Sequence, residues 1–166
     1  MSEIIPTIPY ISRITLPEFG THQQKIKYLL EYVYRANFQG TILDGFIVDN
    51  TLIRLKSYIE DGSAILFGAF IGNELVGFIW GYEREMLDQK RIHINQFVVE
   101  TKQQRLGIGK LLMSAIEEEA VYRDIYTIEL FVSKSNPGAV LFYTNSNFVV
   151  SRYQMEKQLT HPEDME

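Results

Sequence analysis

The stretch "ETKQQRLGIGKLLMSAIEEE", residues 100–119, decides how the rest of the chain is interpreted. Gly107 and Gly109 stand where a polar turn gives way to an apolar helical period. A helix entered through glycines leaves backbone N–H groups open to an anion such as phosphate. The helix itself is predicted from its apolar face, and the glutamates beyond it are expected on a solvated face. The apolar face comprises Ile108, Leu111, Leu112, Ala115 and Ile116, and the glutamates are Glu117, Glu118 and Glu119.

The two glycines alone do not identify a ligand. A dinucleotide-binding fingerprint needs glycine where Leu112 stands, and a nucleotide P-loop needs glycine at Gln104 and Ser or Thr at Leu111. Both motifs are therefore excluded. A plain helix start stays open, because isolated Gly-x-Gly is common.

Periodicity along the rest of the chain predicts alternating strands and helices in one mixed α/β domain. Before the glycine turn we expect a strand at 10–16, a helix at 23–37 with Gly40 beyond its end, and a helix capped by Asp49 or Asn50 and ended by Asp61-Gly62. Strands at 64–71 and 74–83, joined by a tight turn at Gly72-Asn73, precede a charged connection at 84–91 and a strand at 92–99. After the glycine helix we expect a strand at 127–132, a short helix from Pro137 capped by Ser135 or Asn136, and a closing strand from Phe148.

Composition limits the function classes. A length of 166 residues suits one domain, residues 1–166, with a loose tail at 157–166. The formal net charge of -5 argues against a nucleic-acid partner, and the absence of cysteine excludes a thiol acyl-enzyme and thiolate metal sites. The apolar run from Ala64 is interrupted at Gly72 to Glu74 and favours two strands over a membrane span, and the N-terminus lacks a signal-peptide pattern. We expect a cytoplasmic protein.

Two motifs in order carry a family resemblance. The run Gln104 to Gly109 follows the strand ending at Val99 and resembles the Gln/Arg-x-x-Gly-x-Gly/Ala signature of the GCN5-related N-acetyltransferase (GNAT) superfamily. The segment "NPGAVLFYTNSNF", residues 136–148, resembles that family's Asn-x-x-Ala-x-x-Phe/Leu-Tyr-x-x-x-Gly-Phe segment. Asn147 stands where the family usually has glycine, and asparagine tolerates positive φ. The positions of this segment that match the family pattern are Asn136, Ala139, Phe142, Tyr143 and Phe148.

The resemblance implies a fold and a reaction. The implied fold is α/β (α+β), with a mixed, mostly antiparallel sheet of six to seven strands flanked by about four helices. The implied reaction moves an acetyl group from acetyl-CoA, a co-substrate, directly to a primary amine of a small molecule or peptide in a ternary complex, without a metal. The implied partners are acetyl-CoA and an unidentified amine, not nucleic acid or membrane, and homodimerisation stays open.

The resemblance also implies roles for individual residues. Tyr143 would be the general acid toward the thiolate, although a plain core role is the alternative. His93, six residues before Val99, would be the general base, because histidine titrates near neutral pH. A structural role for this strand histidine is equally open, and Glu83, Glu85 and Glu129 are the alternative bases, acting through water. Coenzyme contacts are expected from Phe97, Val98, Val99, Gln104, Arg105, Leu106, Gly107, Ile108, Gly109, Lys110, Asn136, Ala139 and Tyr143, with Asn136 also able to cap its helix.

The acceptor is not readable from the sequence. Residues 18–62 and 84–91 would select it, and acidic residues such as Glu83, Glu85 and Asp88 would attract a cationic amine, although a solvated loop explains them as well. Two rival functions stay open: a non-catalytic acyl-CoA-binding or regulatory module on the same fold, and a protein N-terminal acetyltransferase.

Overall fold

A five-stranded sheet organises the part of the chain that the computed structural model describes, which is residues 8–38, 45–157 and 159. Its strands lie in chain order across the sheet, and the first three pairings are antiparallel. The last pairing is parallel. The strands are β1 (Tyr10–Arg13), β2 (Ala64–Ile71), β3 (Glu74–Met86), β4 (Gln89–Val99) and β5 (Ile128–Leu130). The predicted antiparallel run of three strands, 64–71, 74–83 and 92–99, is therefore confirmed.

Helices cover both faces of this sheet, and the described ranges contain four of them. These are α1 (Leu16–Asn37), α2 (Gly45–Glu60), α3 (Ile108–Tyr122) and α4 (Pro137–Asn145). Phe78 and Trp80 of β3 pack into the core under α1 and α2, while Ile79 between them packs into the core under α3. Alternation along the strand therefore divides the buried residues between two cores, one on each face.

Helix α1 begins earlier than the periodicity predicts. The backbone N–H of Thr15 donates to Glu18 Oε2 at 2.7 Å, and the Thr15 hydroxyl donates to the same oxygen at 2.8 Å. Pro17 occupies the first turn, where its missing N–H has no cost. These start signals lie ahead of the apolar period, so a boundary taken from periodicity alone falls several residues late.

Helix α2 also starts ahead of its predicted cap. The chain is already helical at Gly45, so Asp49 and Asn50 lie inside the helix and the predicted cap is wrong. Both side chains belong to the exposed face, and Asp49 Oδ1 lies 2.6 Å from Lys27 Nζ on α1. Gly40, which was expected beyond the end of α1, lies outside the described residues.

The charged segment 84–91 is not a long connection. Strand β3 continues to Met86 and β4 begins at Gln89, which leaves a two-residue turn at Leu87 and Asp88. These residues have φ of 53° and 58°, the left-handed values that a tight hairpin turn requires. Charged side chains disguise the strands, because an ion pair such as Lys90 Nζ to Glu83 Oε1 at 2.9 Å suits a sheet surface. The other predicted turn, at Gly72, is present with φ of 59°.

The closing strand predicted from Phe148 is wrong, and so is the expected count of six to seven strands. Residues 149–157 form no strand, and their large apolar side chains are at least 75% exposed. Strand β5 spans three residues instead of the predicted 127–132, so its outer edge offers few hydrogen bonds to a further strand. The predicted tail at 157–166 falls outside the described residues except for Lys157 and Leu159.

Candidate functional site

An opening forms in the sheet where β4 and β5 part. The two strands pair only between Ile92–Ile94 and Ile128–Leu130. Beyond that point residues 96–99 of β4 remain paired with β3 on one edge, and no pairing with β5 continues on the other. The backbone of Phe97, Val98 and Val99 therefore borders the opening.

A β-bulge lies beside this opening. Trp80 pairs with Gln96 and Gly81 pairs with Ile94, which makes Asn95 the extra residue of β4. A Cβ atom on Gly81 would lie 2.6 Å from the carbonyl oxygen of His93, so only glycine permits this close approach. The bulge interrupts the alternation of side chains along β4.

The interrupted alternation sends His93 and Phe97 to opposite faces. His93 lies opposite Tyr82 in the ladder, and Tyr82 packs against the core under α1 and α2. Phe97 instead packs in the core under α3. In a regular strand, residues four positions apart would share a face. The opening is therefore flanked by functional candidates from both sides of the sheet.

The glycine turn stands at the mouth of the opening. Gly107 has φ of 80° and caps α3 in the left-handed conformation, and a Cβ there would meet nothing within 4 Å. Arg105 also has positive φ, 66°, and Gln104 Nε2 donates to the Val99 carbonyl at 3.0 Å, which ties the turn to β4. The first N–H groups of a helix have no partner inside it, and here they belong to residues 108–110. The turn is thus a concave backbone surface with open space before it.

Gly109 meets a different requirement. A Cβ atom at this position would lie 3.2 Å from Phe142 Cε2 and 3.4 Å from Phe97 Cζ. The Phe97 and Phe142 rings pack at 5.3 Å between centroids. Gly109 therefore lets the start of α3 approach both Phe97 of β4 and Phe142 of α4.

Helix α4 is fixed by Asn136. Its Oδ1 accepts a hydrogen bond from the Ala139 N–H at 3.2 Å, which confirms the predicted cap. Its Nδ2 donates to Asn37 Oδ1 at 2.8 Å and so joins the start of α4 to the end of α1. At the other end, Asn147 has φ of 63°, the conformation that explains asparagine in place of glycine.

Tyr143 lies in an aromatic wall on α4. Its ring packs on Phe97, Phe142 and Phe148 with centroid distances of 6.2, 5.6 and 5.6 Å. Burial raises the pKa of Tyr143 to about 12. The hydroxyl consequently stays protonated at neutral pH and can donate a hydrogen bond or a proton.

His93 is buried, with 6% of its surface exposed, and packs against Tyr82 and Phe131. Burial lowers the pKa of His93, the positive charge of Arg84 lowers it further, and Glu129 opposes the shift. The imidazole is therefore neutral at neutral pH, as a proton acceptor must be.

The three glutamates that were alternative bases have other surroundings. Glu83 lies 2.9 Å from Lys90 Nζ and 3.7 Å from Arg123 Nη1. Glu129 pairs with two arginines of the neighbouring strands. Glu85 is exposed near the β3–β4 turn. Glu83 and Glu129 are therefore engaged in ion pairs, whereas His93 offers a neutral imidazole.

A polar group on the α1 and α2 side of the bulge was missed by the sequence interpretation. The Tyr34 hydroxyl lies 2.9 Å from Thr51 Oγ1 and accepts from Gln96 Nε2 at 3.4 Å. Trp80 Nε1 is buried and has no hydrogen-bond partner in the described ranges. These residues lie far apart in sequence, so no motif joins them, and only the register at the bulge would have placed Gln96 beside Trp80.

The described part of the chain has neither a metal-ion cluster nor a helix that could span a membrane. No cluster of three or more His, Asp or Glu side chains suited to a metal ion occurs there. None of the helices in those ranges has the length and apolar character needed to cross a membrane.

Comparison with known proteins agrees with this geometry. Residues 29–148 match the acetyltransferase (GNAT) family. A putative acetyl transferase from Pyrococcus furiosus superposes with a TM-score of 0.73 at 24% identity, covering 92% of this chain and 100% of the other. An aminoglycoside acetyltransferase from an uncultured soil metagenomic sample, in complex with trehalose, gives 0.70 at 21% identity, with 92% and 96% covered. A ribosomal-protein-alanine N-acetyltransferase from Brucella melitensis biovar Abortus gives 0.67 at 16% identity, with 92% and 100% covered. No curated protein matches the sequence.

The match covers more than half of the chain, and the chain belongs to the GNAT acetyltransferase family. The structural similarities, all at low identity, show the fold alone. The recognition made from the two motifs is thereby confirmed.

Proposed function

We propose that this protein transfers the acetyl group of acetyl-CoA directly to a primary amine of a small molecule or peptide. The observation that carries the proposal is the opening between β4 and β5 with the glycine turn at its mouth. The opening exposes strand backbone that can contact a carbonyl, and the turn exposes helix N–H groups that can contact an anion. Family membership supports acetyl-CoA as the donor, since GNAT enzymes generally use it.

The turn would hold the pyrophosphate of the coenzyme. The N–H groups of residues 105–110 supply the donors, and the positive end of the α3 dipole favours the negative charge. Arg105 and Lys110 would add charge-assisted contacts. The empty space in front of Gly107 is where a phosphate oxygen would approach the backbone, because no side chain occupies it.

The opening would hold the thioester. Backbone groups of Phe97, Val98 and Val99 would contact its carbonyl, where negative charge develops when the amine attacks. The carbon–nitrogen bond then forms and the carbon–sulfur bond breaks. Tyr143, protonated at neutral pH, would donate its proton to the leaving sulfur and recover one from solvent. Asn136 and Ala139, at the start of α4, would contact the pantetheine arm.

His93 would accept the proton that the amine loses. It lies on the α1 and α2 side of the sheet, whereas the coenzyme would enter from the side of α3 and α4. Four strand positions separate it from Phe97, or about 13 Å along the backbone. We therefore infer that water carries the proton from the amine to His93, and that the acceptor reaches the opening from the His93 side.

The decisive assay is thiol release from acetyl-CoA in the presence of separate amines. The panel would contain aminoglycosides, polyamines, amino acids and peptides with an N-terminal alanine, because the similar structures include enzymes named for aminoglycosides and for a ribosomal-protein alanine. Stoichiometric thiol release and acetylated product with at least one amine support the proposal. Saturable coenzyme binding without turnover on any amine would instead identify a non-catalytic binding module.

A further inference from the structure

Glu129 of β5 lies at the centre of a partly buried charged cluster around His93. The two residues are direct partners in the parallel ladder, and Glu129 Oε1 lies 3.4 Å from His93 Nδ1. Glu129 also lies 2.6 Å from Arg84 Nε on β3 and 3.4 Å from Arg91 Nη1 on β4. Strands β3 and β4 thus each direct an arginine at the carboxylate of β5, with the imidazole beside it.

The two side chains face each other through His93 Nδ1 and Glu129 Oε1. His93 Nδ1 is buried and has no hydrogen-bond partner in the part of the chain the structure describes; Glu129 Oε1 is also buried and makes no hydrogen bond there, but it lies 2.6 Å from Arg84 Nε in an ion pair. At 3.4 Å the two atoms lie next to each other without forming a hydrogen bond. A buried donor left without an acceptor is costly, so a proton on Nδ1 is favoured where a carboxylate oxygen lies beside it.

The position of Glu129 Oε1 next to Nδ1 favours one tautomer of His93. If Nδ1 carries the proton, it faces an acceptor, and Nε2 is left with a lone pair. If Nε2 carries the proton, the Nδ1 lone pair faces a carboxylate oxygen, which is repulsive. The groups around His93 are Glu129, the charge of Arg84 and the rings of Tyr82 and Phe131, and Glu129 is the acceptor among them.

We propose that Glu129 is a positioning residue that holds His93 in the Nδ1-protonated form, so that Nε2 can accept the proton of the amine. This inference rests on the proposed function only for the use made of Nε2. Arg84 and Arg91 hold the carboxylate in place by two ion pairs. The sequence interpretation gave His93 and Glu129 as alternative bases. In this cluster Glu129 positions the imidazole, and His93 accepts the proton.

The direct test is the tautomer of His93 in the wild-type protein. Long-range proton–nitrogen correlation NMR on histidine-labelled protein at pH 7.5 distinguishes the two ring nitrogens, with His93→Gln used to assign the signal. The expected spectrum shows Nδ1 protonated and Nε2 unprotonated. A spectrum with Nε2 protonated would overturn the inference. This readout needs no substrate, so it stands apart from any failure of the proposed function.

The variant test compares Glu129→Gln with Glu83→Gln. Glu83 is a matched control, because it is also a partly buried sheet carboxylate paired with two cations, Lys90 and Arg123, and its ion pairs do not include His93. In Glu129→Gln we expect a mixture of His93 tautomers and a lower imidazole pKa, because the opposing negative charge is lost. Glu83→Gln should leave both unchanged.

The kcat values of the variants Glu129→Gln and Glu83→Gln are the second measurement. General base catalysis contributes about 10²–10⁴-fold, so a loss of about tenfold in kcat is expected in Glu129→Gln, with KM for acetyl-CoA unchanged. Glu129→Asp, which keeps the charge, should recover part of the loss. Equal kcat values and equal tautomers in Glu129→Gln and Glu83→Gln would contradict the positioning role.

Discussion

Gly107 and Gly109 meet different physical requirements although they stand two positions apart. Gly107 is needed for its backbone, since φ of 80° would strain any residue with a Cβ. Gly109 is needed for its size, since a Cβ would press on Phe142 and Phe97. The sequence alone suggested one role for the pair. Only the contact between α3, α4 and β4 separates the two.

Tyr143 gives the first prediction about a single side chain. Tyr143→Phe keeps the ring that packs on Phe97, Phe142 and Phe148 but removes the proton that would go to the sulfur. We expect kcat to fall by about 10²-fold or more, the lower range for a general acid, while the Kd for acetyl-CoA stays within about threefold. Thiol-release kinetics and calorimetric titration measure the two quantities. Unchanged kcat would remove Tyr143 from the chemistry.

The pH profile of kcat/KM gives a second prediction. The pKa of His93 is lowered by burial, so the imidazole remains neutral below its ordinary value of about 6.5. The acid limb that reports its protonation should therefore fall below pH 6.5, and His93→Gln should abolish that limb. Tyr143, with a pKa of about 12, should produce no basic limb near neutrality. An acid limb above pH 7 would contradict the assignment of His93.

The hairpin of β3 and β4 shows where sequence interpretation succeeds and where it stops. Apolar runs predicted the strand segments 64–71 and 92–99, because each side of the sheet faces a core. This pattern failed at 84–91, where charged residues pair across the strands and leave no apolar run to detect. The cluster around His93 was missed for the same reason, since Arg84 and Arg91 were assigned to a loop.

From Phe148 onward the sequence pattern predicted a strand, but residues 149–157 form none. Val149, Val150, Tyr153 and Met155 have the composition of a strand, but the edge available to them, β5, is three residues long. Strand formation depends on a partner that a local pattern does not reveal. The glycine turn and the Asn136 segment were predictable because each contains its own motif within a few residues.

The β3–β4 turn provides a prediction about an element. Leu87 is 81% exposed and, with Asp88, holds a left-handed conformation that costs a residue with a Cβ about 1–2 kcal/mol. Replacing Leu87-Asp88 by Asn-Gly should raise the free energy of unfolding by about 1 kcal/mol, which corresponds to about 2–4 °C in Tm. Thermal unfolding followed by circular dichroism measures the gain. Leu87→Ala, which removes the leucine without easing the backbone, is the control and should give no gain.

At the scale of the whole molecule, the sheet separates two approaches to one opening. The coenzyme would enter beside α3 and α4, and the amine beside α1 and α2. Polar contacts connect the two sides. Lys25 of α1 lies 3.2 Å from Glu74 and 3.0 Å from Glu100, which stands at the end of β4 before the glycine turn. The Asn37 to Asn136 hydrogen bond joins α1 to α4. Helix α1 is therefore bonded both to the end of β4 and to the start of α4.

The exposed segment after α4 gives a prediction at this scale. Its large apolar side chains make no core in the structure, so Val149→Thr, Val150→Thr, Tyr153→Ser and Met155→Gln together should change the free energy of unfolding by less than about 1 kcal/mol. Urea unfolding of this variant beside the wild type measures the difference. A loss above about 3 kcal/mol would show that the segment packs as the strand that its sequence pattern predicts.

The crystal structure with coenzyme A bound tests the central claim most directly. We predict that the pyrophosphate oxygens lie within hydrogen-bond distance of the backbone N–H groups of residues 105–110, in the space before Gly107. The thiol should lie in the opening between β4 and β5, within reach of the Tyr143 hydroxyl. Coenzyme bound at another surface, with the turn at Gly107 empty, would contradict the account.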